Sequence, residues 1–303
     1  MKILITGASG FLGSYLFNKL NKNNTLIGLS GQKTDTQLIH CDITQKEQVI
    51  KIVQEQNTKI IIHCAGISRN FYNNPTYGKL VNIAGTQNIV DAAKIIQASL
   101  VYISSASVFN GQNGSFTEKD KPKTNDEYGK TKIEAENIIH KYKFRYLILR
   151  PSLIIGNSPK GAEETYLGKI IKAGSEKKKL KLDNNWIFAP SWNWHIEKVI
   201  QWWLQNNSTV NLLHVTSRDT ITKMEFARKL YERLNIDQDL IQKIVNSKNS
   251  GNNILNSNKL KEIGAPVITI DNILSGIAAE QGFEPQYHPP EGRVLPLDDS
   301  AIA

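Results

Sequence analysis

The chain of 303 residues contains no run of eighteen apolar residues, so no membrane span is expected. Its N-terminus lacks the long apolar stretch of a secretory signal and carries a glycine loop itself, so a cytoplasmic location is expected. Internal repeats and low-complexity linkers are missing, and no nucleic-acid-binding module is legible. The net charge of +9 suits an anionic ligand such as a nucleotide. The lysines are scattered, however, with one tight cluster at Lys177, Lys178 and Lys179, and they read mostly as solvated surface.

Cysteine is scarce as well. Its two occurrences are His40-Cys41 and His63-Cys64, which raises the question of a zinc site. In a sheet of order 3-2-1-4-5-6 these pairs end strands 3 and 4, with two strands between them. About three spacings of ~4.8 Å is too far for one metal ion or a disulfide, so no metal is expected.

What is present is a globular composition, 40% hydrophobic and 21% charged, and a distinctive opening, MKILITGASGFLGSYLFNKL. Lys2 to Thr6 is an Ile-rich buried-strand pattern, and from Phe11 the apolar residues Leu12, Tyr15, Leu16 and Leu20 fall at helical spacing. Gly7, Gly10 and Gly13 sit between. Gly7 allows a tight turn, Gly10 lets a pyrophosphate approach the backbone, and Gly13 lets helix and strand pack closely. The phosphates of a dinucleotide then meet free N–H groups and the positive end of a helix dipole.

Thr25 to Leu29 follows as strand 2. Its end is where a carboxylate would hold the adenosine ribose of NAD. The chain reads Ser30-Gly31-Gln32-Lys33, with no carboxylate and a lysine that either attracts a 2′-phosphate or points to solvent. NADP(H) is therefore favoured, with NAD(H) possible. Leu38 to Cys41 is a short strand 3, Gln45 to Gln56 a helix, and Lys59 to His63 a buried strand 4 ending in Cys64-Ala65-Gly66. A helix is expected from about Thr76 to Gln97, with Asn82 interrupting its apolar stripe as a structural hydrogen-bonder or part of a proton path. Leu100 to Ser104 is strand 5 and Arg145 to Leu149 strand 6. Thr124 and Glu127 have capping-box spacing ahead of a helix carrying Tyr128 and Lys132.

This alternation predicts an α/β fold, a doubly wound parallel sheet of Rossmann type with a smaller C-terminal substrate-binding lobe. The expected divisions are 1–150, 151–288 with mixed α/β segments, and a tail at 289–303. In the second part Ile196, Val199, Ile200, Trp203 and Leu204 mark a helix, Asn211 to Val215 a strand, and Thr222 with Glu225 the cap of another helix. Five tryptophans at 186, 192, 194, 202 and 203 read as core or subunit contact, or as lining for a nucleotide or sugar pocket.

Ser105, Tyr128 and Lys132 make chemical sense together. A phenol is a poor acid at neutral pH, and a nearby ammonium favours its ionised form. Tyr128 can then exchange a proton with a carbonyl oxygen as hydride arrives, while Ser105 hydrogen-bonds that oxygen.

These motifs resemble those of the extended short-chain dehydrogenase/reductase family: TGASGFLG (Thr6–Gly13), Cys41-Asp42-Ile43, His63-Cys64-Ala65-Gly66, VNIAGTQNIVDAA (Val81–Ala93), ISSASVF (Ile103–Phe109), YGKTK (Tyr128–Lys132) and LRPSLIIG (Leu149–Gly156). The resemblance implies Ser105, Tyr128 and Lys132 as catalytic residues. Together with the glycine turn, the end of strand 2 and the end of strand 4 read above, it gives expected cofactor contacts at Gly7, Ser9, Gly10, Phe11, Leu12, Gly13, Lys33, Asp42, Ile43, Cys64, Ala65, Gly66, Asn82, Tyr128 and Lys132. Stretches such as Val108–Glu136, Leu212–Leu234 and Ile254–Gly264 are similar to the dTDP-4-dehydrorhamnose reductase branch. That branch reduces the 4-keto group of a nucleotide-linked deoxysugar. By this resemblance Ser105, Ala106, Ser107 and Leu153 face the substrate, and a homodimer is ordinary. Two departures stand out: Ser105-Ala106-Ser107 replaces the branch's Thr-Asp-Tyr, and Leu153 stands where it carries Trp. The first is closer to nucleotide-sugar epimerases, so the alternatives are an NAD-dependent epimerase or dehydratase, or a non-catalytic NADP-binding regulator.

Overall fold

The structure, a computed structural model, describes residues 1–32, 37–68, 74–111, 114–156, 165–244 and 254–282. Lys33 and the tail at 289–303 lie outside the described residues. Seven strands form the central sheet: β1 (Lys2–Thr6), β2 (Thr25–Ser30), β3 (Ile39–His40), β4 (Ile60–His63), β5 (Ser99–Ile103), β6 (Tyr146–Pro151) and β7 (Leu212–Val215). Their spatial order is 7-6-5-4-1-2-3 and every pairing is parallel. β2 and β1 therefore lie between β3 and β4, and the two His-Cys pairs stand apart as the expected order requires.

The strands are almost continuously apolar because helices cover both faces. Alternate residues serve the two faces. Ile3, Ile5, Ile62, Val101, Leu147 and Leu213 pack against α1 (Phe11–Lys19) and α7 (Asn193–Gln205). Leu4, Ile61, Leu100 and Ile148 face α2 (Lys46–Gln56), α4 (Thr86–Ile95) and α5 (Glu127–His140). Residues of the second half thus complete the main sheet: β7 pairs with β6, and Ile196, Val199, Ile200 and Trp203 of α7 lie beneath it. The edge of the sheet does not coincide with the expected division at residue 150. Periodicity cannot place a segment that leaves the sheet and returns some sixty residues later.

A second core gathers α6 (Tyr166–Ser175), α8 (Lys223–Arg233) and α10 (Ile270–Glu280) around Phe188, Phe226, Tyr231 and Ile273. Between them α9 (Asn258–Glu262) buries Leu260 in the main core. The capping box of α8 is present, with Thr222 and Glu225 bonded reciprocally. The one expected at Thr124 and Glu127 is not. Asp126 is the N-cap of α5, accepting from the Gly129 N–H at 3.0 Å, and Thr124 Oγ1 accepts from Asp126 N–H. An ionised carboxylate at the positive end of a helix outcompetes a threonine hydroxyl two residues earlier.

The helix expected over 76–97 is three segments: α3 (Pro75–Lys79), a wide π-helical turn (Leu80–Gly85) and α4. Asn82 lies within the wide turn.

Candidate active site

The carboxyl ends of the parallel strands β1, β2, β4 and β5 lie along one edge of the sheet, and the first turn of α5 packs on the loop after β5. At the end of β1, Gly7 has φ +67°, and a Cβ there would lie 2.8 Å from the Ala65 backbone. A Cβ on Gly13 would overlap the Gly7 carbonyl, so α1 rests directly on the turn. Gly10 is the N-cap of α1 and no side chain caps this end. Phe11 and Leu12 form the first turn. The amide groups there are left for an anion, the arrangement a pyrophosphate needs.

At the end of β2, buried Ser30 exchanges a hydrogen bond with Ser9 (Oγ–Oγ 2.9 Å) and accepts from Gln32 N–H. Among the described residues, a Cβ on Gly31 beside it would meet the Cys41 carbonyl oxygen at 4.0 Å, an ordinary contact distance. The Asp42 carboxylate turns back on Thr44, accepting from its N–H (2.9 Å) and hydroxyl (2.8 Å). Ile43 packs on Gly85, where a Cβ would approach its Cδ1 to 2.7 Å. These glycine cradles and the uncapped helix fit a nicotinamide dinucleotide.

At the ends of β1 and β4 runs a buried relay that the sequence did not reveal. Thr86 Oγ1 donates to the Asn82 carbonyl (2.7 Å), so it accepts from His63 Nε2–H (3.0 Å). His63 Nδ1 then accepts from Thr6 Oγ1 (2.7 Å), which in turn accepts from Ala65 N–H (3.2 Å). This bonding assigns the neutral Nε2–H tautomer. Burial and the nearby Lys132 charge push the His63 pKa down to about 3. Asn82 is occupied by protein groups: Oδ1 accepts from Ile67 N–H, and Nδ2 donates to Ile67 O and to Thr131 Oγ1 of α5. Its side chain ties the β4 loop, which holds Cys64, Ala65 and Gly66, to the helix of Tyr128. Thr6, His63, Asn82, Thr86 and Thr131 all fall within the motifs quoted above, yet no local pattern in the sequence marks the bonds that join them.

Ser105 follows β5, half-buried, and its Oγ accepts from Ser107 N–H (3.1 Å), which leaves the hydroxyl proton to donate. α5 presses on this loop through Gly129, and Tyr128 is its half-buried neighbour on the first turn. Lys132, one turn on, is 6% exposed. Its Nζ donates to Ile103 O (2.8 Å) and stands 4.4 Å from the centre of the Tyr102 ring. Burial lowers its pKa from the usual lysine range to about 8, opposed by the charge of Glu136. The Cys64 thiol is pushed up to about 12 by burial.

Ala106 is not open to a substrate as expected. It is buried with Val108, Phe109 and Leu255, because the short helical turn at Ala106–Val108 rolls its methyl into that cluster. Ser107 is half-buried, its N–H taken by Ser105. Leu153 packs at the margin of the second core. Of the tryptophans, Trp192 and Trp203 are buried, whereas Trp186 is half-buried under the Lys223 ammonium, 3.7 Å away.

Known proteins share this architecture. Methionine adenosyltransferase 2 subunit beta of Rattus norvegicus is 25% identical over 278 residues, covering 87% of this chain and 82% of its own length. A probable low-salt glycan biosynthesis reductase, Agl14 of Haloferax volcanii, is 25% identical over 256 residues, 81% of this chain and 84% of its own. The crystal structure of dTDP-4-dehydrorhamnose reductase from Bacillus anthracis in complex with NADP superposes with a TM-score of 0.81 at 24% identity, over 92% of this chain and 99% of that one. A family model, the RmlD substrate binding domain, matches residues 1–263. Sheet order, glycine loop and family match agree, and the chain belongs to the RmlD substrate binding domain family within the extended short-chain dehydrogenase/reductases.

Proposed function

We propose that this protein is an NADP(H)-dependent reductase acting on the keto group of a nucleotide-linked deoxysugar. The observation that carries the reading is the assembly of Ser105, Tyr128 and Lys132 at the carboxyl edge of the sheet, beside a glycine turn whose helix end is uncapped. The dinucleotide, when bound, supplies the hydride. Tyr128 gives its phenolic proton to the substrate oxygen, and the Ser105 hydroxyl steadies that oxygen by donating a hydrogen bond. The Lys132 ammonium favours the phenolate left behind. Ser30 in place of a carboxylate spares a 2′-phosphate from repulsion, which supports NADP(H) while leaving NAD(H) usable. The named reductase activities of the Haloferax and Bacillus proteins agree with this reading.

The test is NADPH oxidation by purified protein with a dTDP-4-keto-6-deoxysugar, followed at the nicotinamide absorbance, with Tyr128→Phe alongside. Turnover by the wild type and its loss in the variant support the proposal. Tight NADPH binding without turnover on a panel of nucleotide-linked ketosugars overturns it.

A second reading is a dinucleotide-binding subunit of another enzyme. The observation favouring it is that relatives of similar identity over 87% of this chain are themselves named as subunits. Co-elution with a methionine adenosyltransferase on size exclusion, with catalysis indifferent to Tyr128→Phe, would support it.

A further inference from the structure

Glu136 lies one turn beyond Lys132 and two beyond Tyr128 on α5, so the three share a face. It is 2% exposed and held from two strand ends. Arg150 at the end of β6 grips it with two bonds, Nε to Oε1 at 2.9 Å and Nη2 to Oε2 at 2.6 Å. Ser104, next to Ser105 after β5, donates to Oε1 at 2.5 Å. His214 of β7 stands 3.4 Å from Arg150 Nη1 through Nε2, while its Nδ1 approaches Phe116 O and Asn256 O. A bidentate guanidinium with a serine fixes a carboxylate in place far better than a solvated pair would.

We propose that Glu136, fixed by Arg150 and Ser104, is a positioning residue whose carboxylate is the counter-charge that holds the buried Lys132 ammonium beneath Tyr128. This inference rests on the reductase reading for its catalytic meaning, but not for its measurement. The other groups around Lys132 are neutral over the working pH range. From β4, His63 has its pKa near 3 and Cys64 its near 12. From β5, the Tyr102 phenol is raised well above its usual value by burial. Tyr128, on the same helix as Lys132 and Glu136, is the reacting group itself. Among the described residues whose charge acts on Lys132, Glu136 is the carboxylate. Without it, burial works on the ammonium unopposed.

The experiment is NMR titration of protein carrying isotope-labelled lysine side chains, with Lys132→Met to assign the resonance. The wild type is expected to show one lysine with a midpoint near 8, absent in Lys132→Met. In Glu136→Gln the midpoint is expected to fall by about one unit or more. Glu136→Asp, which keeps the charge, is expected to restore most of the shift. Because Glu136→Gln strands a buried guanidinium, the double variant Glu136→Gln/Arg150→Met removes both charges and is expected to show the same fall. An unchanged Lys132 midpoint in whichever neutralised variant folds overturns the proposal, as does a wild-type Lys132 that titrates with the ordinary lysines. The pH profile of NADPH oxidation, run on the same proteins, is expected to move its alkaline limb in step. A midpoint shift in protein that turns over no ketosugar leaves the role of Glu136 standing and removes the reductase reading.

Discussion

Gly129 meets Ser107 with no room between them: a Cβ on Gly129 would overlap the Ser107 carbonyl oxygen. This contact sets the first turn of α5, which carries Tyr128, against the loop after β5, which carries Ser105. The consequence is specific. Gly129→Ala must push helix and loop apart, displacing Tyr128 from the reacting oxygen. An expected fall in kcat of roughly a hundredfold, with NADPH affinity changed much less, is checked by steady-state kinetics and a binding titration on the same preparation.

The dinucleotide end of the site depends on another glycine. Gly13→Ala would lift α1 from the Gly7 turn and spoil the spacing of its amide groups. NADPH binding, followed by the enhancement of its fluorescence, is expected to weaken at least about tenfold, consistent with losing one to two anion hydrogen bonds. Retained affinity would mean that the helix end does not hold the phosphates.

Tyr128→Phe removes the proton donor while α5 keeps its Asp126 cap. The kcat for ketosugar reduction is expected to drop by about 10²–10⁴, with the dissociation constant for NADPH within about twofold of wild type. Single-turnover rates separate this loss from product release.

Three histidines make stability fall on the acid side. Burial holds His63 and His214 near a pKa of 3 and His195 near 4, all below the usual 6.5. The unfolded chain therefore takes up protons that the fold refuses. The stabilisation is full above pH 6.5 and is lost progressively as pH falls toward 4 for His195 and toward 3 for His63 and His214. Between pH 7 and pH 5 each group contributes about 2 kcal/mol of loss, so a drop of about 6 kcal/mol is expected. Urea unfolding at the two pH values checks it, and a denaturation midpoint that barely moves would show that these rings are charged in the fold.

Local pattern made much of the molecule legible. Ile-rich runs announced β1 and β4, helical spacing announced α2 and α7, and Thr222 with Glu225 announced the start of α8. Each is a short-range preference expressed within a few residues, which is why it survives in the sequence. The wide turn at Leu80–Gly85 was hidden because Val81, Ala84, Ile89 and Ala92 fit a regular stripe equally well, and only the backbone bonding of the folded helix distinguishes it.

The sequence by itself determined the glycine turn, the order of strands and helices, and the pairing of Tyr128 with Lys132 at one helical turn. Tertiary structure alone decided what stands around them. The return of β7 to the sheet edge, the neutral His63 between Thr6 and Thr86, the burial of Ala106 and the clamp of Arg150 on Glu136 all join residues far apart in the chain. Such contacts follow from packing and from the need to partner every buried polar group, and neither leaves a periodic mark on the sequence.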